Sequence, residues 1–219
     1  MDVLAHSEQT DHYFANIRLS ELNTLARQNL SYTAMSPVVQ PWIDNTVIVT
    51  MHPTAEAGMP HTRAPNVICM PAYFPDERRK ETLFHEYVHI HQRRHLYQWD
   101  SFFQKEGWNP ILDQEIIPKK YRDRCRLNPD TFTPTRFYAW KGKHIPLPLF
   151  EREDRPELRQ VTVQWWDWTT GIRQNQPPRS FVERYGSMPA QPEHPRELAA
   201  VELAKIITTA DDVDSYLRL

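Results

Sequence analysis

Glycine is scarce in this chain of 219 residues, which contains five glycines against 19 prolines. Because proline restricts φ and glycine loosens the backbone, we expect stiff connections between the secondary-structure elements. Cysteine is equally rare, since Cys69 and Cys125 are the two copies. Two cysteines cannot build a disulfide scaffold, so we expect free thiols in a reducing compartment, with one disulfide as the alternative.

Long apolar runs are absent as well. No stretch of the sequence stays apolar over the roughly 20 residues that a membrane-spanning helix needs. The first residues include Asp2, His6 and Glu8 and have no apolar centre, so we expect no signal peptide. Together these absences predict a cytoplasmic protein without a membrane-inserted segment.

A strong charge imbalance is also missing. The formal net charge is −2, and the basic clusters at 78–80 and 93–94 are short enough to be solvated helix faces. We therefore expect no binding to nucleic acid or to a membrane surface. The hydrophobic content of 40% is enough for one sizeable core at this length, so we expect one domain over residues 1–219. Nothing in the composition specifies an oligomeric state.

The hydrophobic pattern predicts an α+β chain. Stretches rich in β-branched and aromatic residues predict strands at 46–51, 66–70, 136–140, 144–150 and 160–168, with a hairpin turn at 141–143. Apolar residues at helical spacing, together with helix start signals, predict helices at 17–29, from 76 to 105 with a kink near 96–99, at 114–126, at 195–204 and from 211 or 212.

The long helix from residue 76 carries the most informative pattern. Asp76 and Glu77 place a capping aspartate and an acidic first turn at its start, and apolar residues between positions 83 and 90 predict that much of it is buried. On this helix His85 and His89 lie one turn apart, so both imidazoles can reach one metal ion while Glu86 lies beside them. This HExxH spacing is typical of zinc hydrolases, and the alternative is a helix that is merely rich in histidine.

A catalytic zinc ion usually has three protein ligands, so HExxH requires one more. His95 occupies the last position of the metzincin pattern HExxHxxGxxH, but Gln92 stands where that pattern has glycine. If the helix simply continues, His95 lies roughly 80° around the axis from His85 and out of reach of the same ion. His91 points to the face opposite His89. The other solution is a glutamate on a later helix.

The C-terminal part of the chain carries a resemblance that bears on this choice. This part resembles the C-terminal signature of small gluzincin-type metallopeptidases, in which an FVSxYA-like stretch leads to NPxExxAE. The matching residues are Phe181, Val182 and Tyr185 and, after a loop, Pro195-x-Glu197-x-x-Ala200. The loop is longer here, His194 replaces asparagine, and Val201 replaces a further acidic residue. The resemblance covers residues 66–95 and 181–204. The resemblance implies that Glu197 is the third ligand. Its main rival is Glu202, and Glu183 and His194 are weaker ones.

The resemblance implies a zincin-like single domain. It would combine a small mixed or antiparallel sheet with a long active-site helix and a C-terminal helix that carries the third ligand. Strand and active-site helix would occupy 66–95, an insert with a β-hairpin 110–175, and the C-terminal helical part 179–219. The strand at 66–70 would be the edge on which an extended substrate pairs, with Cys69 either facing the cleft or packed in the core.

The implied function is zinc-dependent hydrolysis of peptide bonds in a protein or peptide substrate. Zn²⁺ would be held by His85, His89 and Glu197, with Glu86 as general base and Tyr185 as the oxyanion donor. Tyr138 and Arg184 are further candidates for the oxyanion role. The alternatives are a zinc-binding structural or interaction protein without catalysis, a metzincin-like hydrolase with His95 as third ligand, and a packed histidine helix without metal.

Overall fold

The structure, a computed structural model, describes residues 3–16, 38–39, 46–51, 53, 55–207 and 211–218 and shows a mixed α+β chain with two sheets. The helix expected at 17–29 lies outside the described residues. The described helices are α1 Val3–Asp11, α2 Tyr13–Asn16, α3 Asp76–Arg94, α4 Leu96–Lys105, α5 Lys119–Arg122, α6 Arg179–Tyr185, α7 Pro195–Leu203 and α8 Asp211–Leu217, and the strands are β1 Val38–Val39, β2 Val47–Met51, β3 His61–Arg63, β4 Val67–Pro71, β5 Trp108–Pro110, β6 Tyr138–Trp140, β7 His144–Phe150, β8 Val161–Asp167 and β9 Ile172–Gln174.

The first sheet has the strand order β1-β2-β4-β3, in which β2 and β4 are parallel and the other pairs antiparallel. Strand β4 is buried along its whole length and is hydrogen-bonded on both sides. The expectation that 66–70 forms a substrate-binding edge is therefore wrong, because β3 occupies that side. The edge at β3 is itself used, since the Thr62 N–H donates to Asp130 Oδ1 and the Thr62 carbonyl accepts from Arg93.

The second sheet is an antiparallel meander in the order β5 to β9, and it contains the expected hairpin between β6 and β7. At the hairpin turn Lys141 and Gly142 both have positive φ, of 48° and 65°. Two successive positive φ angles are the requirement of a type I′ turn, which matches the right-handed twist of the strands that it joins. The sheet extends the predicted 110–175 insert slightly, because its first strand begins at Trp108.

The long helix α3 begins where the sequence predicts and continues to Arg94. Asp76 is its first helical residue and not its cap, since Pro75 holds the cap position and no side chain caps the helix. The chain then bends at His95, whose φ and ψ are −122° and 45°, and continues as α4. The predicted kink therefore occurs one residue earlier than expected. None of the described helices combines the length and apolarity that a membrane crossing requires.

The largest hydrophobic cluster holds α3 against α7 and both against the second sheet. Val88 on α3 and Ala200 and Leu203 on α7 are fully buried in it. The two cysteines are free and buried, as expected, and Cys69 packs among the side chains of the first sheet, so it does not face the cleft. The predicted helix at 114–126 is reduced to one 3₁₀ turn and the four-residue α5. The large side chains of the hydrophobic cluster that joins α3, α7 and the second sheet are Phe84, Trp99, Phe103, Trp108, Tyr138, Trp140, Trp165 and Phe181.

Candidate metal centre

His85 and His89 converge with Glu197 at the contact between α3 and α7. The two histidines lie one turn apart, and their Nε2 atoms are 3.1 Å from each other. Glu197 lies in the first turn of α7, and its Oε2 atom is 3.3 Å from each Nε2. The three side chains that the sequence singles out as ligands are thus brought together across more than a hundred residues of chain.

The size of this triangle fits a zinc ion. Zinc bonds of 2.0–2.1 Å in tetrahedral geometry imply ligand atoms about 3.3 Å apart. Glu197 Oε2 is buried and has no hydrogen-bond partner among the described residues. A buried carboxylate oxygen without a partner costs free energy, and a cation at the centre of the triangle would remove that cost. His85 is less buried than the other two, so the centre opens on the His85 side.

Gln92 fixes which nitrogen of His89 faces the triangle. The Gln92 amide Nε2 donates to the Arg196 carbonyl, so Gln92 Oε1 is left as the acceptor for His89 Nδ1 at 2.9 Å. His89 Nδ1 therefore carries the proton, and Nε2 presents its lone pair towards Glu197 and His85. Such a hydrogen bond to the distal nitrogen is the usual way in which proteins orient a histidine ligand.

Asn128 orients Glu197 in the same manner. Its Nδ2 donates to Glu197 Oε1 at 2.5 Å, which leaves Oε2 for the two imidazoles. The Asn128 Oδ1 atom accepts from the Asp130 N–H and so closes a local turn that Pro129 stabilises. Asn128, Asp130 and Gln92 were missed as site residues. Residues 127–131 have the composition of a turn, but nothing in the sequence indicates that this turn faces α7.

The electrostatics of the triangle favour a positive charge. Burial alone would raise the pKa of the Glu197 carboxyl, but the facing His89 and His85 rings hold this pKa well below its ordinary range. Burial opposes charge on His89, yet the Glu197 carboxylate raises the pKa of this imidazole above its usual value. Both shifts show that a cation is favoured between these groups.

Glu86 lies next to the triangle without being one of its three members. Its side chain is buried, and its Oε2 atom has no hydrogen-bond partner within the described part of the chain. Burial, followed by the nearby Asp130 and Glu197 carboxylates, raises the pKa of Glu86 well above the ordinary range. Asp130 is anchored by the Thr62 N–H and hydroxyl at 2.6 and 2.9 Å. The Asp130 carboxylate therefore lies fixed beside Glu86 and disfavours a negative charge on it.

An open cavity of about 570 Å³ gives access to His85 and Glu86. One wall is a face of α3, and the other is formed by the loop before α7 and the end of that helix. Among the lining residues are three cations, which are Arg78, Arg126 and Lys205. The remaining lining residues are Met59, Pro60, Phe74, Glu81, Thr82, Asp130, Ala190, Gln191, Glu193, Val201 and Ala204.

The other two histidines of the 82–95 stretch point away from this site. His91 Nδ1 accepts from the Trp99 indole and its Nε2 donates to Asp214 Oδ1, each at 3.1 Å. His95 stacks on His91 with 4.2 Å between the ring centroids. The groups of described residues that could share a metal ion include neither histidine. The geometry therefore favours Glu197 over His95 as the third member.

The rival acids and the expected oxyanion donors also lie elsewhere. Glu202 pairs with Arg184, and Glu183 pairs with Arg179. The Tyr185 hydroxyl accepts from the Trp108 indole at 3.0 Å within the aromatic cluster, so Tyr185 does not line the cavity. The remaining predicted candidates also have partners away from the triangle. The Tyr138 hydroxyl donates to Asp100, and Arg184 binds Glu106 and Glu202. His194 caps α7.

Comparison with family models, with curated proteins and with solved structures finds no match to this chain. The geometry of the site is therefore the basis on which a function can be assigned to this chain.

Proposed function

We propose that this protein is a zinc-dependent metallopeptidase in which His85, His89 and Glu197 hold the ion and Glu86 is the general base. The observation that supports it is the triangle of two imidazole nitrogens and one carboxylate oxygen, 3.1–3.3 Å apart, beside an open cavity. Zinc with three protein ligands lowers the pKa of a bound water to about 7 and polarises a carbonyl group. Nitrogen and carboxylate donors suit this ion.

Glu86 supplies the proton transfer in this proposal. Its carboxylate lines the cavity beside His85 and is not needed as a ligand, so it is available to take a proton from the attacking water. It then delivers this proton to the nitrogen of the leaving amine. Asp130 opposes a negative charge on Glu86, and a cation in the triangle would offset that effect and favour the carboxylate form that a base requires.

The proposed arrangement is zincin-like. Strand β4 leads through a short connection into the helix with HExxH, and the third member comes from the first turn of α7, which packs against that helix. Hydrogen bonds from Gln92 and Asn128 orient His89 and Glu197 from behind. Because these side chains are held before any ligand arrives, little ordering is required when an ion binds.

The test combines metal analysis with a peptide digest. Protein purified with zinc should hold one ion per chain, and it should cleave peptides in a random library. Glu86→Gln should retain the zinc and lose cleavage by about 100-fold or more, since general bases contribute factors of this size. Glu81→Gln is the matched control, because Glu81 lines the same cavity from the exposed side of α3.

Three outcomes would contradict the proposal in different ways. Absence of stoichiometric zinc would remove the metal site. Cleavage that survives Glu86→Gln would point to a contaminant or to another mechanism. Zinc binding by a wild-type protein that cleaves nothing would support the alternative of a zinc-binding structural protein.

A further inference from the structure

Arg126 is a half-buried arginine on the wall of the cavity that contains His85 and Glu86. The base of its side chain is fixed, because its backbone N–H donates to the Pro148 carbonyl at 2.8 Å. Its Nε atom is buried without a hydrogen-bond partner, and its guanidinium forms no hydrogen bond or ion pair with any described residue. A charged donor removed from water in this way costs free energy until it meets an acceptor.

A buried Nε without a partner also occurs in Arg122, Arg124 and Arg196, but another nitrogen of each of those guanidinium groups has a partner. Two residues before Arg126 on the same segment, the Arg124 guanidinium donates to the Phe150 carbonyl at 2.9 Å. In the rest of the described chain, the guanidinium of each further buried or half-buried arginine has a carboxylate or a backbone carbonyl oxygen as its partner. These arginines are Arg63, Arg79, Arg93, Arg122, Arg136 and Arg196. No described residue provides a partner for the Arg126 guanidinium, so we look for this partner in what enters the cavity.

Glu193 is an acid that lines the same cavities as Arg126 but does not neutralise the charge of its guanidinium. Both side chains line the large cavity and also a small one of about 30 Å³ behind it. Burial raises the pKa of Glu193 to about 7, and the charge of Arg126 opposes this rise. The two groups thus influence each other, but they form no ion pair. The cavity wall between them presents a guanidinium whose donors face no fixed acid.

We propose that Arg126 binds a carboxylate of the substrate and that Glu193 weakens this binding by competing for the same charge. That the bound carboxylate belongs to a substrate rests on the proposed peptidase function, whereas the binding of a carboxylate does not. A guanidinium matches a carboxylate with two parallel hydrogen bonds, which gives both affinity and orientation. The carboxylate is either the C-terminus of a peptide or the side chain of an aspartate or glutamate.

Four small probes separate these sources. N-acetylglycine carries a terminal carboxylate and N-acetylglycinamide does not, while N-acetylglutamate α-amide carries a side-chain carboxylate and N-acetylglutamine α-amide does not. Dissociation constants are measured by NMR titration on zinc-loaded wild type, Arg126→Gln and Arg126→Lys. Arg126→Gln should weaken one carboxylate probe, or both, by about tenfold or more, and should leave the amides within twofold. Arg126→Lys should recover part of the loss, because it keeps the charge and loses the planar fork.

Two further variants serve as controls. Arg78→Gln removes an exposed arginine that lines the same cavity, and it should leave all four dissociation constants within twofold. Glu193→Gln should strengthen carboxylate binding by about threefold, because a competing negative charge is gone. Since zinc itself attracts carboxylates, the differences between variants carry the conclusion.

The proposal is overturned if Arg126→Gln binds every probe as wild type does. It is also overturned if this variant loses carboxylates and amides equally, or loses zinc, because Arg126 would then act only as a counter-charge to the buried acids. Should Arg126→Gln fail to fold, the other two variants decide the question, because Arg126→Lys should weaken carboxylate binding and Glu193→Gln should strengthen it. A wild type that binds carboxylates through Arg126 but cleaves nothing contradicts the proposed function alone.

Discussion

Glu197 and Glu202 lie on the same helix, five residues apart, and only their surroundings distinguish them. Glu197 is fully buried against two imidazoles, whereas Glu202 is partly exposed and paired with Arg184. Asn128 satisfies Glu197 Oε1, but the buried Oε2 atom has no donor among the described residues and would be compensated by a cation in the triangle, whereas the Glu202 carboxylate is compensated by an arginine. The two acids therefore form a matched pair for assigning the third ligand.

We expect Glu197→Ala to weaken zinc binding by more than about 100-fold and Glu202→Ala to leave it unchanged. Loss of an outer partner of a metal site typically costs 10–100-fold in affinity, so loss of a ligand should exceed this range. Competition with a chromogenic chelator measures both affinities. If His95→Ala lost zinc while Glu197→Ala retained it, the site would be of the metzincin type.

Asn128 tests the importance of the residues behind the ligands. Its amide holds Glu197 Oε1, so Asn128→Ala should free the carboxylate to rotate and should lower zinc affinity by about 10–100-fold. Asn109→Ala, at an exposed position of β5, is the control and should have no effect. Unchanged zinc affinity in Asn128→Ala would show that packing alone orients Glu197.

At the level of elements, the buried Arg63 guanidinium connects the first helix to the first sheet, beside the packing of Leu4 against that sheet. The Arg63 side chain on β3 is completely buried, and its guanidinium donates to both Asp11 oxygens, at 2.8 and 2.9 Å, and to Glu8 at 2.9 Å. Removing one partner of a buried pair is costly because the remaining charge stays desolvated. Helix α1 is therefore a structural part of the sheet edge that lies next to the metal centre.

We expect Asp11→Asn to lower the free energy of unfolding by about 3 kcal/mol at pH 7, the lower end of the range for breaking a buried pair, because Asp11 is partly exposed. Burial would raise the pKa of Asp11, but Arg63 holds it below the ordinary value. A lowered pKa contributes stability that is complete above about pH 3.9 and is lost as pH falls through the folded value. Urea unfolding should therefore show a wild-type advantage that shrinks in acid.

An unchanged difference between wild type and Asp11→Asn from pH 7 to pH 2 would contradict this account. Asp154→Asn provides the comparison, since Asp154 pairs with Arg152 at an exposed position. Solvent and salt screen an exposed pair, so this substitution should leave the free energy of unfolding nearly unchanged at either pH.

For the whole molecule, zinc should act as a stabilising ligand. An ion that binds only the folded state adds about 2.7 kcal/mol at 100 times its dissociation constant. For a chain of this size that corresponds to a rise in Tm of about 5–10 °C. Differential scanning calorimetry with zinc and with a chelator measures the shift, and Glu197→Ala should show almost none. Equal shifts in the two proteins would place the zinc elsewhere.

Much of the chain's local structure follows from local pattern. The strands at 47–51, 67–71 and 144–150 and the helix from 76 lie close to their predicted bounds, because alternation, helical spacing and turn residues act over a few positions. His85, Glu86 and His89 could be identified together for the same reason, since helix geometry alone places them on one side. Glu197 required a resemblance in addition to its spacing.

The packing of distant segments decided the remaining features. No local signal shows that β3 covers β4, so the substrate edge expected at 66–70 was wrong, and none shows that Tyr185 bonds to Trp108. The local sequence favours the turn at 127–131, but the hydrogen bond from Asn128 to Glu197 spans 69 positions. Contacts of this range arise when the core of α3, α7 and the second sheet closes, and short-range preferences do not encode which buried groups then meet.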